Sequence, residues 1–116
     1  MHEFFQLNGE VDPDFVKVHG KAVGSKWKFV RPDRQHKMVD FEGWCVYPVL
    51  TTGWSDIREF YKLKLQNETM HIGYYGENVF ELLATEWKDN FEEYPTFHSK
   101  CTNKRTTIYF DLKLNY

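Results

Sequence analysis

Basic side chains are concentrated in one stretch of the sequence, between residues 17 and 37. This stretch has a local net charge of +6, from seven lysines and arginines against the single acid Asp33, in a chain whose net charge is −2. The basic residues are Lys17, Lys21, Lys26, Lys28, Arg31, Arg34 and Lys37. Lysine and arginine side chains neutralise phosphates and release their counterions, which gives a salt-dependent attraction that does not depend on base sequence. The same pattern is also typical of a solvated face that binds nothing, and the residues alone leave both interpretations open.

Residues 77 to 93 carry the opposite charge. Six acids in this segment are opposed only by Lys88, which gives a local net charge of −5. The aromatic residues Trp87 and Phe91 lie among these acids, so the segment is a candidate surface for docking a protein partner or a second domain. The whole chain, with a net charge of −2, has no global positive field that would indicate nucleic acid, so the distribution of charge is more informative than its sum.

The residues that could perform catalysis or hold a metal do not form a recognisable group. Cys45 and Cys101 make no CxxC pair and are too few for a four-ligand zinc site unaided. The sequence has no glycine-rich phosphate loop and no Gly-x-Ser-x-Gly turn, and its histidines lack the i, i+4 spacing of a helical zinc pair: His2, His19, His36, His71 and His98. We therefore expect no enzyme, no metal site and no cofactor.

No stretch of the sequence approaches the roughly 18 consecutive apolar residues of a membrane span. The first residues also lack a basic segment followed by a long apolar run, which is the pattern of a secretory signal. We expect an intracellular protein with reduced thiols and no membrane partner.

The composition favours a sheet as the element that positions the basic side chains. At 116 residues the chain has the length of one domain, and 18% of its residues are aromatic. Aromatic and β-branched residues crowd into short runs, which is typical of half-buried strands. A mostly β fold is predicted.

Two elements carry the basic stretch. Asp12 and Pro13 offer an N-cap and a first-turn proline to a short helix of about two turns, which we expect to end at His19-Gly20. In the strand Lys26–Arg31, the aromatic residues Trp27 and Phe29 alternate with basic ones, so Lys26, Lys28 and Arg31 are predicted to point outward.

The remaining elements are predicted from periodicity and turn residues. The apolar stripe of Trp54, Ile57, Phe60 and Tyr61 indicates a helix after Gly53. Strands or extended segments are predicted at Phe4–Leu7, Met38–Phe41, Trp44–Leu50, Thr69–Tyr75 and Asn78–Ala84, the last two joined as a hairpin at Gly76-Glu77. Beyond Thr85 we expect irregular structure until the run Thr106–Leu114, which either completes the sheet or begins a second module.

The order of several short motifs resembles the plant B3 domain. In that family a leucine-rich strand runs into a Gly-Trp pair that opens a short helix, and a strand ending near Tyr-Tyr-Gly leads through a hairpin to a strand containing phenylalanine. The matching residues here are Leu50, Gly53, Trp54, Phe60, Leu63, Tyr74, Tyr75, Gly76 and Phe80. Pro13–Val16 and Trp27–Val30 are similar to the helix and second strand of the family. The resemblance assigns residues 1–86 to a B3-like domain and leaves 87–116 as a C-terminal extension.

The resemblance implies a seven-stranded open β-barrel with two short helices, in which the matching aromatic residues belong to the core. It also implies sequence-specific binding of double-stranded DNA in the major groove by a nuclear transcriptional regulator. The family grasps DNA with two arms, which would lie here around Gln6 and Asn8 and around Asp40 to Trp44. Gln6 or Asn8 could then read adenine, and an exposed Trp44 could lean on a sugar or a base.

Two departures from the family pattern support an alternative. The segment between Leu7 and Val11 is short for a first arm, and the residues before Leu50 lack the family's polar loop rich in serine and asparagine. The alternative is a B3-like module that has lost DNA binding and docks a protein through residues 77–93.

Overall fold

The structure is a computed structural model, and it describes residues 9–43, 48–63, 67–96 and 106–113. The strands in chain order are β1 (Gly9–Glu10), β2 (Lys26–Val30), β3 (His36–Glu42), β4 (Val49–Leu50), β5 (Asn67–Tyr74), β6 (Val79–Trp87), β7 (Asn90–Glu93) and β8 (Thr106–Lys113). The helices are α1 (Pro13–Val23) and α2 (Ile57–Phe60), and a turn of 3-10 helix (Trp54–Asp56) leads directly into α2.

The strands form one nearly closed, barrel-shaped sheet. Seven of them follow the order β1-β4-β3-β2-β6-β5-β8, and β7 pairs with β6 outside this path. β2 and β6 pair in parallel, whereas the other pairs described are antiparallel. β1 and β8, the two ends of the path, come close together. The prediction of a mostly β fold, an open seven-stranded barrel with two short helices, is confirmed.

Aromatic side chains fill the barrel. Trp27 and Phe80, which come from the parallel strands β2 and β6, stack with ring centroids 4.1 Å apart and ring planes at 9°. Phe15 of α1 sets its ring against the edges of Trp27 and Tyr74, so this helix covers one end of the barrel. Of the aromatic residues expected in the core, Trp54, Tyr74 and Phe80 are buried, whereas Phe60 and Tyr75 are half-buried.

The first helix begins as predicted but is longer. The Asp12 carboxylate accepts a hydrogen bond from the Asp14 backbone N–H at 2.9 Å, and Pro13 opens the helix. The prediction that the helix ends at His19-Gly20 is wrong, because it continues to Val23 and stops at Gly24, where φ is +68°. Val23 is buried in the core, and burying a valine side chain is worth about 1.5–3 kcal/mol, more than the roughly 1 kcal/mol cost of a glycine inside a helix.

The C-terminal part of the chain is more regular than predicted. β6 continues to Trp87, turns at Lys88 with φ of +54°, and returns as β7, so the expectation of irregular structure after Thr85 is wrong for these residues. β8 pairs with β5 over eight residues and buries Ile108 and Phe110 in the barrel. The predicted run Thr106–Leu114 had two alternatives, and β8 corresponds to the one that completes the sheet. The division of the chain after residue 86 stays a prediction, and the sheet continues across it.

Candidate nucleic-acid interface

Side chains along β2 alternate between the core and the outer face, and Lys26 and Lys28 point away from the core, as predicted. Trp27 and Phe29 are fully buried, whereas Lys26 is exposed and Lys28 is half-buried on the outer face. Lys26 lies opposite Asp40 of β3, and its Nζ is 2.6 Å from the Asp40 Oδ1. An exposed pair of this kind contributes only about 0–1 kcal/mol, so a phosphate can compete with Asp40 for Lys26.

Arg31 is held by contacts within the chain. Its Nε and Nη2 donate to both carboxylate oxygens of Asp33, at 3.1 and 2.7 Å, and its Nη1 donates to the Phe60 carbonyl at 2.9 Å. The guanidinium also lies 4.7 Å from the centre of the Phe60 ring. Bidentate hydrogen bonds and ring contacts of this kind favour a fixed arginine. Arg31 therefore attaches the β2–β3 turn to α2, and little of its guanidinium is available to a phosphate.

Two side chains near the contact between α2 and the end of β2 have shifted pKa values, Asp33 and Tyr61. The hydrogen bonds from the Arg31 side chain and from the Gln35 backbone hold the pKa of Asp33 below its usual value of 3.8. Burial raises the pKa of Tyr61, whose hydroxyl donates to the Val30 carbonyl at 2.8 Å. Tyr61 thus stays protonated and fixes the end of α2 to the end of β2.

The other two basic residues of the β2–β3 region are also placed by local contacts. The Lys37 Nζ lies 3.1 Å from the Asp56 Oδ2, in the 3-10 turn. Arg34 is exposed in the turn between the strands, where its φ is +72°. Lys26, Arg31 and Lys37, three of the basic residues predicted to contact DNA, are thus in ion pairs with aspartates within the described ranges.

Lys17 and Lys21 lie together at a groove. They are four residues apart on α1, so they occupy the same face of the helix, and both are exposed. The groove has a volume of about 590 Å³, and Ser25, Phe41 and Gly43 form its other side. Ser25 directly precedes Lys26, so the backbone of Lys26 adjoins the groove, although its side chain is not among those that line it. We define this groove, with Lys17, Lys21 and the adjacent Lys26, as the basic groove.

The three candidate residues for base contacts, Gln6, Asn8 and Trp44, lie outside the described residues. Trp44 directly follows Gly43, a residue of the basic groove.

Sequence reasoning missed the basic groove for a physical reason. The groove needs α1 to continue past Gly20, so that Lys21 is helical and Ser25 meets the end of β3. The Phe41 backbone N–H donates to the Ser25 carbonyl at 2.8 Å, and this hydrogen bond closes the junction. Val23 is an apolar residue one turn beyond the apparent stop, and it is the sequence signal from which a longer helix could have been predicted. In the structure this side chain is buried.

No group of three or more histidine, cysteine, aspartate or glutamate side chains among the described residues is arranged to hold a metal ion. The helices within the described ranges are all too short or too polar to cross a bilayer.

No protein-family model, no curated protein and no solved structure matches this chain. Membership of the B3 family therefore stays a prediction that depends on the motifs quoted above.

Proposed function

We propose that this protein binds double-stranded DNA through the basic groove. The observation that supports this function best is that Lys17 and Lys21 line one groove, with Lys26 next along the chain to the lining residue Ser25. Each of these side chains can neutralise a phosphate and release its counterions. Phosphate contacts would position the protein on the duplex without specifying its sequence.

The shape of the basic groove suits a nucleic-acid backbone. Gly20, Gly24 and Gly43 lie along it and have no side chains to keep a sugar and phosphate away. Lys28 extends the positive charge along the outer face of β2, beyond Lys26. Sequence-specific binding would add base contacts from Gln6, Asn8 and Trp44, in the major groove.

The biological role we propose is regulation of transcription in the plant nucleus, which is the role that the resemblance to B3 domains implies. This part of the proposal depends on the resemblance of residues 4–84 to that family. Arg31 is left out of the binding surface, because its hydrogen bonds to Asp33 and Phe60 occupy it.

A charge reversal in the basic groove tests the proposal. The double variant Lys17→Glu, Lys21→Glu should weaken binding to a randomised DNA duplex at least about tenfold, measured by fluorescence anisotropy at about 50 mM salt. Repeating the titration up to about 200 mM salt should give a salt slope that is smaller by about two, because two phosphate contacts are lost.

The matched control is the double variant Lys62→Glu, Lys88→Glu. It makes the same change in net charge, but both lysines lie outside the basic groove, after α2 and in the β6–β7 turn. Its affinity should stay within about threefold of the wild type, since only the long-range attraction changes. Equal losses in the two double variants, or no binding by the wild type at the lower salt, would overturn the proposal.

A further inference from the structure

The outer face of the sheet formed by β5, β6, β7 and β8 carries large aromatic side chains that are exposed. Phe91 of β7 is 57% exposed and Tyr109 of β8 is 62% exposed. Exposed aromatic residues that lie together commonly mark binding surfaces, because their burial by a partner is favourable. DNA binding at the basic groove does not use these residues.

Strand register brings the two rings to either side of a histidine. Tyr109 lies opposite His71 of β5, and Phe91 comes from the far side of β6. The His71 ring centroid is 4.7 Å from that of Tyr109 and 5.4 Å from that of Phe91, and both rings stand nearly perpendicular to the histidine, at 79° and 84°. The three rings border an open trough of about 350 Å³. We call it the aromatic trough.

Two carboxylates lie at the aromatic trough. Glu93 lines it directly, and the Glu86 Oε1 lies 3.0 Å from the His71 Nε2. Asp89 and Glu92 are exposed on the same hairpin, whose one lysine, Lys88, lies over the Trp87 ring at 4.6 Å. Aromatic faces and carboxylates both attract cations. An anionic ligand would be repelled here, and an apolar ligand would gain nothing from the carboxylates.

We propose that the aromatic trough binds a lysine or arginine side chain of a basic segment in a partner protein. The cation would lie in the open trough against the rings of Phe91 and Tyr109, and Glu93 would pair with it. Arginine suits the site better than lysine, because its flat guanidinium can stack on a ring and hydrogen-bond to a carboxylate together.

Protection of the sheet edge explains only part of this surface. All four residues of β7 are exposed, and acids on an edge strand discourage pairing with other chains. That role accounts for Glu92 and Glu93, but the exposed rings of Phe91 and Tyr109 would favour aggregation rather than prevent it. Two large rings flanking one histidine are better explained by a ligand.

This inference is independent of the proposed function. No described residue lines both the basic groove and the aromatic trough. Variants in one surface therefore leave the other intact, and the failure of either proposal can be seen separately.

The test uses a fluorescein-labelled peptide of alternating arginine and glycine. Binding to the wild-type chain, followed by fluorescence anisotropy, should weaken at least about tenfold in the double variant Phe91→Ala, Tyr109→Ala, because two cation–π contacts are lost. The single variant Glu93→Gln should weaken binding less and should reduce its salt dependence. The control Val18→Ala removes an exposed apolar side chain from α1 and should not change the affinity.

Three further readouts distinguish the cation from other ligands. A peptide with citrulline, the neutral analogue of arginine, should not bind, and Phe91→Trp should bind the arginine peptide more tightly, since tryptophan makes the strongest cation–π contacts. Equal binding of the citrulline peptide, or unchanged affinity in the Phe91→Ala, Tyr109→Ala variant, would refute the proposal. Light scattering that shows a dimer of the wild type, lost in that variant and not dissociated by the peptide, would instead identify a second copy of this chain as the occupant.

Discussion

At the scale of single residues, neighbouring carboxylates determine how available Lys26, Arg31 and Lys37 are to a phosphate. The sequence correctly predicted that Lys26 and Lys28 point outward, because strand alternation is a local property. It could not predict that Asp40 pairs with Lys26 or Asp56 with Lys37, because those contacts depend on strand register and on the position of the 3-10 turn. Arg31 and Asp33 are only two residues apart in the sequence. The Phe60 carbonyl, which also accepts a hydrogen bond from Arg31, is distant in the sequence and could not be predicted as its partner.

The Arg31–Asp33 contact should make stability depend on acid pH. A carboxylate whose pKa is lowered by folding stabilises the protein above its unfolded pKa, and this stabilisation is lost as the pH falls through the folded pKa. Asp33→Asn removes it at neutral pH, so the variant should be less stable than the wild type near about pH 7, and the difference should shrink toward about pH 2. Urea unfolding at a series of pH values measures the difference. A difference that stays constant down to the acid limit would contradict this role for Asp33.

At the scale of the elements, the sequence predicted the parts that depend on local periodicity and turn residues. The strand β2, the helix after Gly53 and the β5–β6 hairpin at Gly76-Glu77 all follow from such signals. β7 was not predicted from the sequence for two reasons. Its turn is made by Lys88, a non-glycine residue at positive φ, and the strand contains acids, which are depleted in strands. The pairing of β8 with β5 joins residues far apart in the chain, which no local pattern specifies.

Gly53 should be indispensable where the helical segment begins. Its φ is +96°, and an added Cβ would lie 2.6 Å from the backbone oxygen of Met38, which cannot move aside as a flexible side chain could. Gly53→Ala should therefore lower the free energy of unfolding by about 1–3 kcal/mol. Denaturant unfolding measures this, and an unchanged midpoint would show that the turn can rearrange.

Two adjacent residues of β8 should respond very differently to truncation. Phe110 is 3% exposed, with its ring 4.9 Å from that of Trp54, whereas Tyr109 lies on the outer face. Phe110→Ala should lower the free energy of unfolding by about 3–5 kcal/mol. Tyr109→Ala should change it by less than about 1 kcal/mol, since the side chain is largely exposed. Similar losses in the two variants, measured by urea unfolding, would contradict the register of β8 on β5.

At the scale of the whole molecule, the charge segregation seen in the sequence becomes two separate surfaces. Lys17 and Lys21 of α1 line the basic groove, with Lys26 next along the chain to Ser25, while Glu93 of β7 lines the aromatic trough. The sequence indicated the two charged segments but not these shapes, because each surface combines residues from distant elements. A protein with both surfaces could hold DNA and a basic partner at the same time.

Nuclear magnetic resonance of the ¹⁵N-labelled chain, titrated with a randomised DNA duplex at low salt, tests DNA binding at the basic groove most directly. We predict salt-sensitive changes in the backbone amide signals of Lys17, Lys21 and Ser25, with the signals of Phe91 and Tyr109 unchanged. Changes centred on the aromatic trough, or no changes at any site when DNA is in excess, would contradict the account.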